Sequence, residues 1–146
     1  MSLELWKKNG WIREHKTSPQ EINGILSLVE RDIEDASREV ISIDWQFNIA
    51  YNAGLQLATL ALLVAGYRAG RGEGKHYRVI QALPLVMGEQ YAAFRNYLDN
   101  CRRKRNISEY DAVGTISEKE AEDLLKAVKA FKTELESWLK TKMSNL

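Results

Sequence analysis

Asp44-Trp45-Gln46-Phe47-Asn48-Ile49-Ala50-Tyr51-Asn52-Ala53-Gly54-Leu55-Gln56-Leu57-Ala58-Thr59-Leu60-Ala61-Leu62-Leu63-Val64 is the stretch on which the fold turns. No formal charge lies between Asp44 and Arg68, and Ile49 to Val64 is rich in Leu and Ala. A membrane span needs about 20 predominantly apolar residues, so length alone permits one. The polar residues argue otherwise. Asp44, Asn48, Asn52, Gln56 and Thr59 recur every three or four positions and draw a polar stripe down one side of a helix. Several amides on one span are costly in hydrocarbon. The segment is therefore expected to be the central helix of a bundle, with no membrane partner. The stripe itself has two readings: a buried hydrogen-bond network that fixes how helices pack, or, at Asp44 and Asn48, the lining of a cleft.

Outward from this helix, the other segments repeat the same period. Ser18-Pro19-Gln20-Glu21 has the form of a capping box with Pro at the first helical position, and Ile22, Ile25, Leu26, Val29 and Ile33 follow at helical spacing. A helix is expected from about Pro19 to Arg38. Residues 1–16 carry Leu5, Trp6, Trp11 and Ile12 among charges, the pattern of a short arm docked on the body. Gly66, Gly70, Gly72 and Gly74 mark a loop. That loop is no nucleoside-triphosphate cradle, since the Walker spacing needs Gly at Ala69 and Ser or Thr at His76. A short helix from Lys75 to Met87, disturbed at Pro84 and closed by Gly88, leads into another that starts near Glu89. There Tyr91, Phe94, Leu98 and Cys101 share a face. A second capping box, Ser117 with Glu120, opens a final helix striped by Ala121, Leu124, Leu125, Val128, Phe131, Leu135, Trp138 and Leu139. No segment alternates with period two for long, and no short hairpin signal occurs. The expectation is an all-α, up-and-down bundle of four to five helices, forming one domain over 1–146 with 1–16 as the arm.

Composition removes several function classes. The chain has 146 residues, with 21 basic against 20 acidic, so an anion site must come from local clustering and not from a global positive field. One cysteine excludes an internal disulfide and a cysteine-rich zinc site. Nothing at the N-terminus resembles a signal peptide, and the cytoplasm is the expected compartment. With two histidines a three-His metal centre is impossible, and no metal or cofactor is expected. His15, in the polar arm, reads as a solvent-facing side chain without a role.

Local clustering is found at Cys101-Arg102-Arg103-Lys104-Arg105-Asn106-Ile107-Ser108-Glu109-Tyr110-Asp111, where four cations lead into an amide, a carboxylate and a phenol. Arg offers a planar fork of donors that a phosphate accepts in pairs, Asn braces an Arg or a base edge, and Tyr carries one polar tip. The same run is also what a solvated basic helix end looks like. His76 follows the glycine loop near Arg71, Lys75 and Arg78; it reads either as an imidazole bonded to a carbonyl or as a group that faces Arg105 and touches an anion. Trp45, Phe47, Tyr51, Tyr91 and Tyr97 read as core and not as base-stacking platforms.

Arg105-Asn106 followed by Tyr110 resembles the Arg-Asn-x-x-x-His motif of HEPN domains, with Tyr in the histidine position. The chain is also similar to small stand-alone prokaryotic HEPN-like proteins in Asp44 to Leu55, Gly66-Tyr67-Arg68, Gly74-Lys75-His76, and Arg103 to Asn106 with Tyr110-Asp111, over roughly residues 18–140. The resemblance implies a homodimer of helical bundles whose motif arginines meet at a cleft for RNA or a nucleotide phosphate. Many such domains are metal-independent ribonucleases, often toxins beside a nucleotidyltransferase-like antitoxin, while others only bind.

The Tyr110 departure bears on catalysis. A phenol titrates near pH 10, about three and a half units above imidazole, so almost none is a base at neutral pH. The phosphate grip of Arg105 would outlast cleavage. The expectation is an RNA or nucleotide phosphate-binding protein, with Arg105, His76 and Tyr110 at its chemical centre and Arg102, Asn106, Asp44 and Asn48 around it, and with weak or absent ribonuclease activity. Two alternatives stand beside it: an active endoribonuclease using His76 and Arg105, and a structural or protein-interaction module.

Overall fold

Ser18, Ser42 and Ser117 each stop a helix from fraying at its start. Ser18 Oγ accepts from the Glu21 N–H at 3.2 Å, Ser42 Oγ from the Trp45 N–H at 3.2 Å, and Ser117 Oγ from the Glu120 N–H at 3.1 Å. Each bond satisfies a donor that has no partner within the helix, worth about 1 kcal/mol. At Ser117 the box is reciprocal, since Glu120 Oε1 accepts from the Ser117 N–H at 3.1 Å. At Ser18 it is not: the Glu21 carboxylate turns to His15 and Thr17.

A computed structural model describes residues 2–110 and 115–143, with side chains to 106 in the first stretch. In chain order the elements are α1 (Leu3–Lys8), β1 (Ile12–Glu14), α2 (Pro19–Ala36), α3 (Ile43–Val64), β2 (Tyr67–Ala69), α4 (Lys75–Gln81), α5 (Leu83–Met87), α6 (Ala92–Tyr110) and α7 (Glu118–Met143). A single 3-10 turn, Glu89–Tyr91, leads into α6. The architecture is all-α, as the periodicity implied, with one small addition. β1 and β2 pair antiparallel, Ile12 opposite Ala69, Arg13 opposite Arg68 and Glu14 opposite Tyr67. These three-residue strands lie in segments read from sequence as arm and glycine loop. The arm is thereby joined to the body, and Trp6 and Ile12 are buried in its core.

α3 is the axis around which the rest packs, with α2, α4, α5, α6 and α7 all against it. Phe47, Leu57, Leu60, Leu62 and Ala61 on it are almost fully buried. Each large side chain among them contributes about 1.5–3 kcal/mol on leaving water. α3 is also the one helix among the described residues long and apolar enough to cross a membrane, and its apolar surface is largely covered by its neighbours. Part of the polar stripe now has an explanation. Asp32 of α2, buried, accepts from Asn52 Nδ2 at 3.1 Å and Gln56 Nε2 at 2.7 Å. Thr59 Oγ1 donates to the Leu55 carbonyl at 2.9 Å. Asn52 and Gln56 thus tie α3 to α2 through Asp32 in a partly exposed network, while Thr59 bonds only within its own helix.

Gly54 sets how closely the other helices approach. A Cβ there would lie 3.1 Å from Leu98 Cδ1 of α6 and 3.2 Å from Val128 Cγ2 of α7. Farther along, α6 lies against Phe131 of α7 through Phe94, stacked at 4.4 Å between centroids. Lys104 of α6 pairs with Glu120 of α7. The close crossing at Gly54 brings the C-terminal half of α6, with its arginines, over the N-terminal half of α3.

Candidate functional site

Four consecutive cations on a helix point in different directions, and the structure divides them. Arg102 and Arg105 are three residues apart and share a face. Arg102 Cζ lies 5.4 Å from the centroid of the Tyr77 ring, and Arg105 Cζ lies 5.4 Å from that of Tyr51. Arg103, 64 % exposed, shares Asp99 with Arg102, and Lys104 pairs with Glu120 of α7. The basic run thus places two arginines beside rings of α3 and α4, with Arg103 and Lys104 off that face. Asn106, a turn beyond Arg102, is exposed.

Arg102 is held in place by a buried carboxylate. Asp99 Oδ1 accepts from Arg102 Nε at 2.9 Å, and Asp99 Oδ2 accepts from Arg103 Nη2 at 2.7 Å. Burial works to raise the pKa of Asp99, but the hydrogen bonds from Arg103 and Arg102 prevail and hold it below the usual carboxylate range. Only Nε of Arg102 is used, so its terminal nitrogens make no hydrogen bond among the described residues. That is the forked end with which a guanidinium grips a phosphate.

His76 stands close to both arginines. Desolvation in the packed start of α4 is the first cause that lowers its pKa; the charges of Arg105 and then Arg102 add to it. The ring is solvent-exposed, and partial burial together with the nearby guanidinium charges favours its neutral over its protonated form. The His76 ring makes no hydrogen bond to a carbonyl among the described residues, and the charges of Arg105 and Arg102 act on it.

The upper stripe of α3 lies on the same side of that helix as Tyr51, whose ring stands by Arg105. At 100° per residue, Asp44, Asn48 and Tyr51 fall within about 60° of arc, turned from the Asn52 and Gln56 side that meets Asp32. Tyr51 is 1 % exposed. Burial pushes its phenol pKa up to about 12, against the opposing charge of Arg105. Its hydroxyl and Asn48 Oδ1 are buried and make no hydrogen bond among the described residues. Unsatisfied polar atoms of this kind are few in native proteins and concentrate where function demands them. The side chain of Tyr110 lies outside the described residues.

Several expectations need correction. Trp45, read as core, is 53 % exposed, whereas Phe47 and Tyr51 are core as expected and Tyr91 and Tyr97 are partly buried. His15 is not a bystander: its Nε2 lies 2.7 Å from Glu21 Oε1, and it is mostly covered. Tyr77, Asp99 and Tyr51 were missed as site residues. Only Asp99 carried a signal, standing three and four residues before Arg102 and Arg103, the spacing of a helical ion pair. Compared with models of known protein families, with curated proteins and with solved structures, the chain matches none.

Proposed function

We propose that this chain is a HEPN-type protein of the cytoplasm that binds the phosphates of RNA or a nucleotide, with weak or absent ribonuclease activity. The observation that carries the reading is the convergence of Arg102 and Arg105, each over a tyrosine ring, beside a neutral His76. Two guanidiniums on one helix face supply charge for a phosphodiester, and Arg102 keeps its terminal donors for it. The aromatic rings beneath them limit their motion, which lowers the entropy lost on binding. Asn106 and the upper stripe of α3, Asp44 and Asn48, flank this surface. The Tyr in place of the motif histidine at position 110 is the reason for assigning binding ahead of cleavage.

One observation favours the enzyme alternative enough to test it. An imidazole already in its base form near Arg105 has the pairing that ribose 2′-hydroxyl activation needs: His76 to take the proton, Arg105 to offset charge on the phosphorane. In the homodimer this reading includes, the apolar surface at the N-terminal end of α3 is the contact. There Val40 is 89 %, Trp45 53 % and Ile43 36 % exposed, beside Asp44. A toxin role with a nucleotidyltransferase-like antitoxin belongs to the same reading.

The test is the affinity for single-stranded RNA at two salt concentrations, with cleavage followed in EDTA. Binding should weaken with salt by a log–log slope near −0.7 per phosphate contacted, and Arg105→Ala should reduce that slope by about one contact. Absence of detectable binding at low salt would leave the interaction-module reading. Cleavage in EDTA that His76→Ala abolishes would establish the enzyme.

A further inference from the structure

We propose that the cleft between the arm, the β1–β2 ribbon and α4 is a second binding site, for a small organic anion with one charged head on a compact apolar body. It is separate from the α6 arginines, and no α6 residue borders it. The cleft has a volume of about 290 Å³. That is the lower end of small-molecule sites, room for a single aromatic acid or mononucleotide. Its floor is apolar, made by Leu55, Leu62 and Val79. Its rim is charged, carrying Arg68, Lys75 and His76 together with His15 and Glu21.

The rim charges do not cancel. Glu21 is the one acidic residue lining the cleft, and it is occupied by His15 Nε2 and by Thr17 Oγ1, each at 2.7 Å. The Thr17 and His15 hydrogen bonds lower its pKa. The side chains of Arg68 and Lys75 make no hydrogen bond or ion pair within 4 Å among the described residues, although the charge of Arg68 adds to the lowering of the Glu21 pKa. Arg68 also stands directly opposite Arg13 in the ribbon. Like charges in that position destabilise a strand pair, so the fold tolerates a local conflict in order to keep a cation at the cleft mouth. Leucines beneath and an excess of cations over the single carboxylate above suit a ligand with an apolar body and an anionic head.

The chain's two histidines make the test direct, because each gives one imaginable imidazole resonance and only His76 is shared with the α6 surface. Phenylacetate and adenosine monophosphate, titrated separately into the full chain, distinguish a carboxylate from a phosphate head. Saturable movement of the His15 resonance with either one is expected. Arg68→Gln should weaken that binding about tenfold, the loss of one charge-assisted contact, while thermal stability holds or rises as Arg13 is relieved of its neighbour. Thr59→Phe, which fills the cleft, should abolish it. A His15 resonance that stays still with both ligands to on the order of 10 mM would overturn the proposal. Equal affinity in Arg68→Gln would do so too, whether or not Thr59→Phe folds. RNA affinity is measured in parallel and is expected to be unchanged in Arg68→Gln, so failure here and failure at Arg105 are told apart.

Discussion

Replacing Tyr51 with Phe should make this protein more stable. The Tyr51 ring is 1 % exposed, and its hydroxyl is buried without a hydrogen bond among the described residues. An unsatisfied buried hydroxyl costs about 1–3 kcal/mol, whereas the ring that packs α3 and lies 5.4 Å from Arg105 is retained in Phe. Allowing for the small void left by the oxygen, a gain of about 1–2 kcal/mol is expected. At roughly 2–4 °C per kcal/mol for a chain of this size, Tm should rise by about 2–8 °C. RNA affinity should stay within about threefold, since the ring still supports the guanidinium. Tyr51→Leu is the contrasting variant: losing the aromatic face should weaken RNA binding by about 2- to 30-fold, the range of a cation–π contact of 0.5–2 kcal/mol. Calorimetry and fluorescence anisotropy on the three proteins read both effects. A fall in Tm for Tyr51→Phe would refute the reasoning, because it would mean the hydroxyl has a stabilising partner. Equal RNA affinity in Tyr51→Leu would separate the ring from any role in holding Arg105.

Asp99→Asn should cost about 1–2 kcal/mol, less than the ~3–5 of a fully buried pair because Arg103 is 64 % exposed. It should also weaken RNA binding by freeing Arg102, which urea denaturation and anisotropy would register. Because the folded pKa of Asp99 is depressed, its contribution is present above the unfolded value near 3.9 and is lost as pH falls through the folded one. Wild type should therefore lose stability below about pH 4 in a way that Asp99→Asn does not. For His76 the depressed pKa means that the folded state resists protonation, so its contribution is present above about pH 6.5 and fades as pH falls toward the folded value. A phosphate held by Arg102 and Arg105 reverses that field. The His76 resonance should titrate at higher pH with RNA bound than without, and at higher pH in Arg105→Gln than in wild type.

What was legible in the sequence is what rests on periodicity and capping. The apolar stripe of α7 appears as written, from Ala121 to Leu139, because a 3.6-residue period and a Ser117–Glu120 box are local features. Asn52 and Gln56 were legible as amides needing partners, but Asn52 is exposed and Gln56 only partly covered, and the partner they share, Asp32, sits on another helix that no local pattern announces. The Ser18 box misled in an instructive way. Its glutamate satisfies the spacing rule yet turns to His15, since an imidazole brought near by the ribbon competes with the backbone N–H. The ribbon was invisible for a related reason: its two strands are three residues each and are joined by no hairpin turn. At the site, Arg102 and Arg105 were found by composition, whereas Tyr77 and Tyr51 acquire meaning only when α4, α3 and α6 are packed together.

Glycine at position 70 has a bearing on how the molecule assembles and comes apart. A Cβ there would sit 2.3 Å from the Gly10 carbonyl oxygen, so two distant stretches of backbone run almost in van der Waals touch. Closing so long a circuit carries an entropic cost and yields only three paired residues per strand, so Gly70→Ala, which would force the two backbones apart, should speed amide exchange at residues 12–14 before it does so in α3. His15 rides on that seam. The rim it helps to form is therefore only as rigid as that seam, and because Trp6 and Ile12 of the same stretch are core residues, parting the seam would bare some of the helical interior as well.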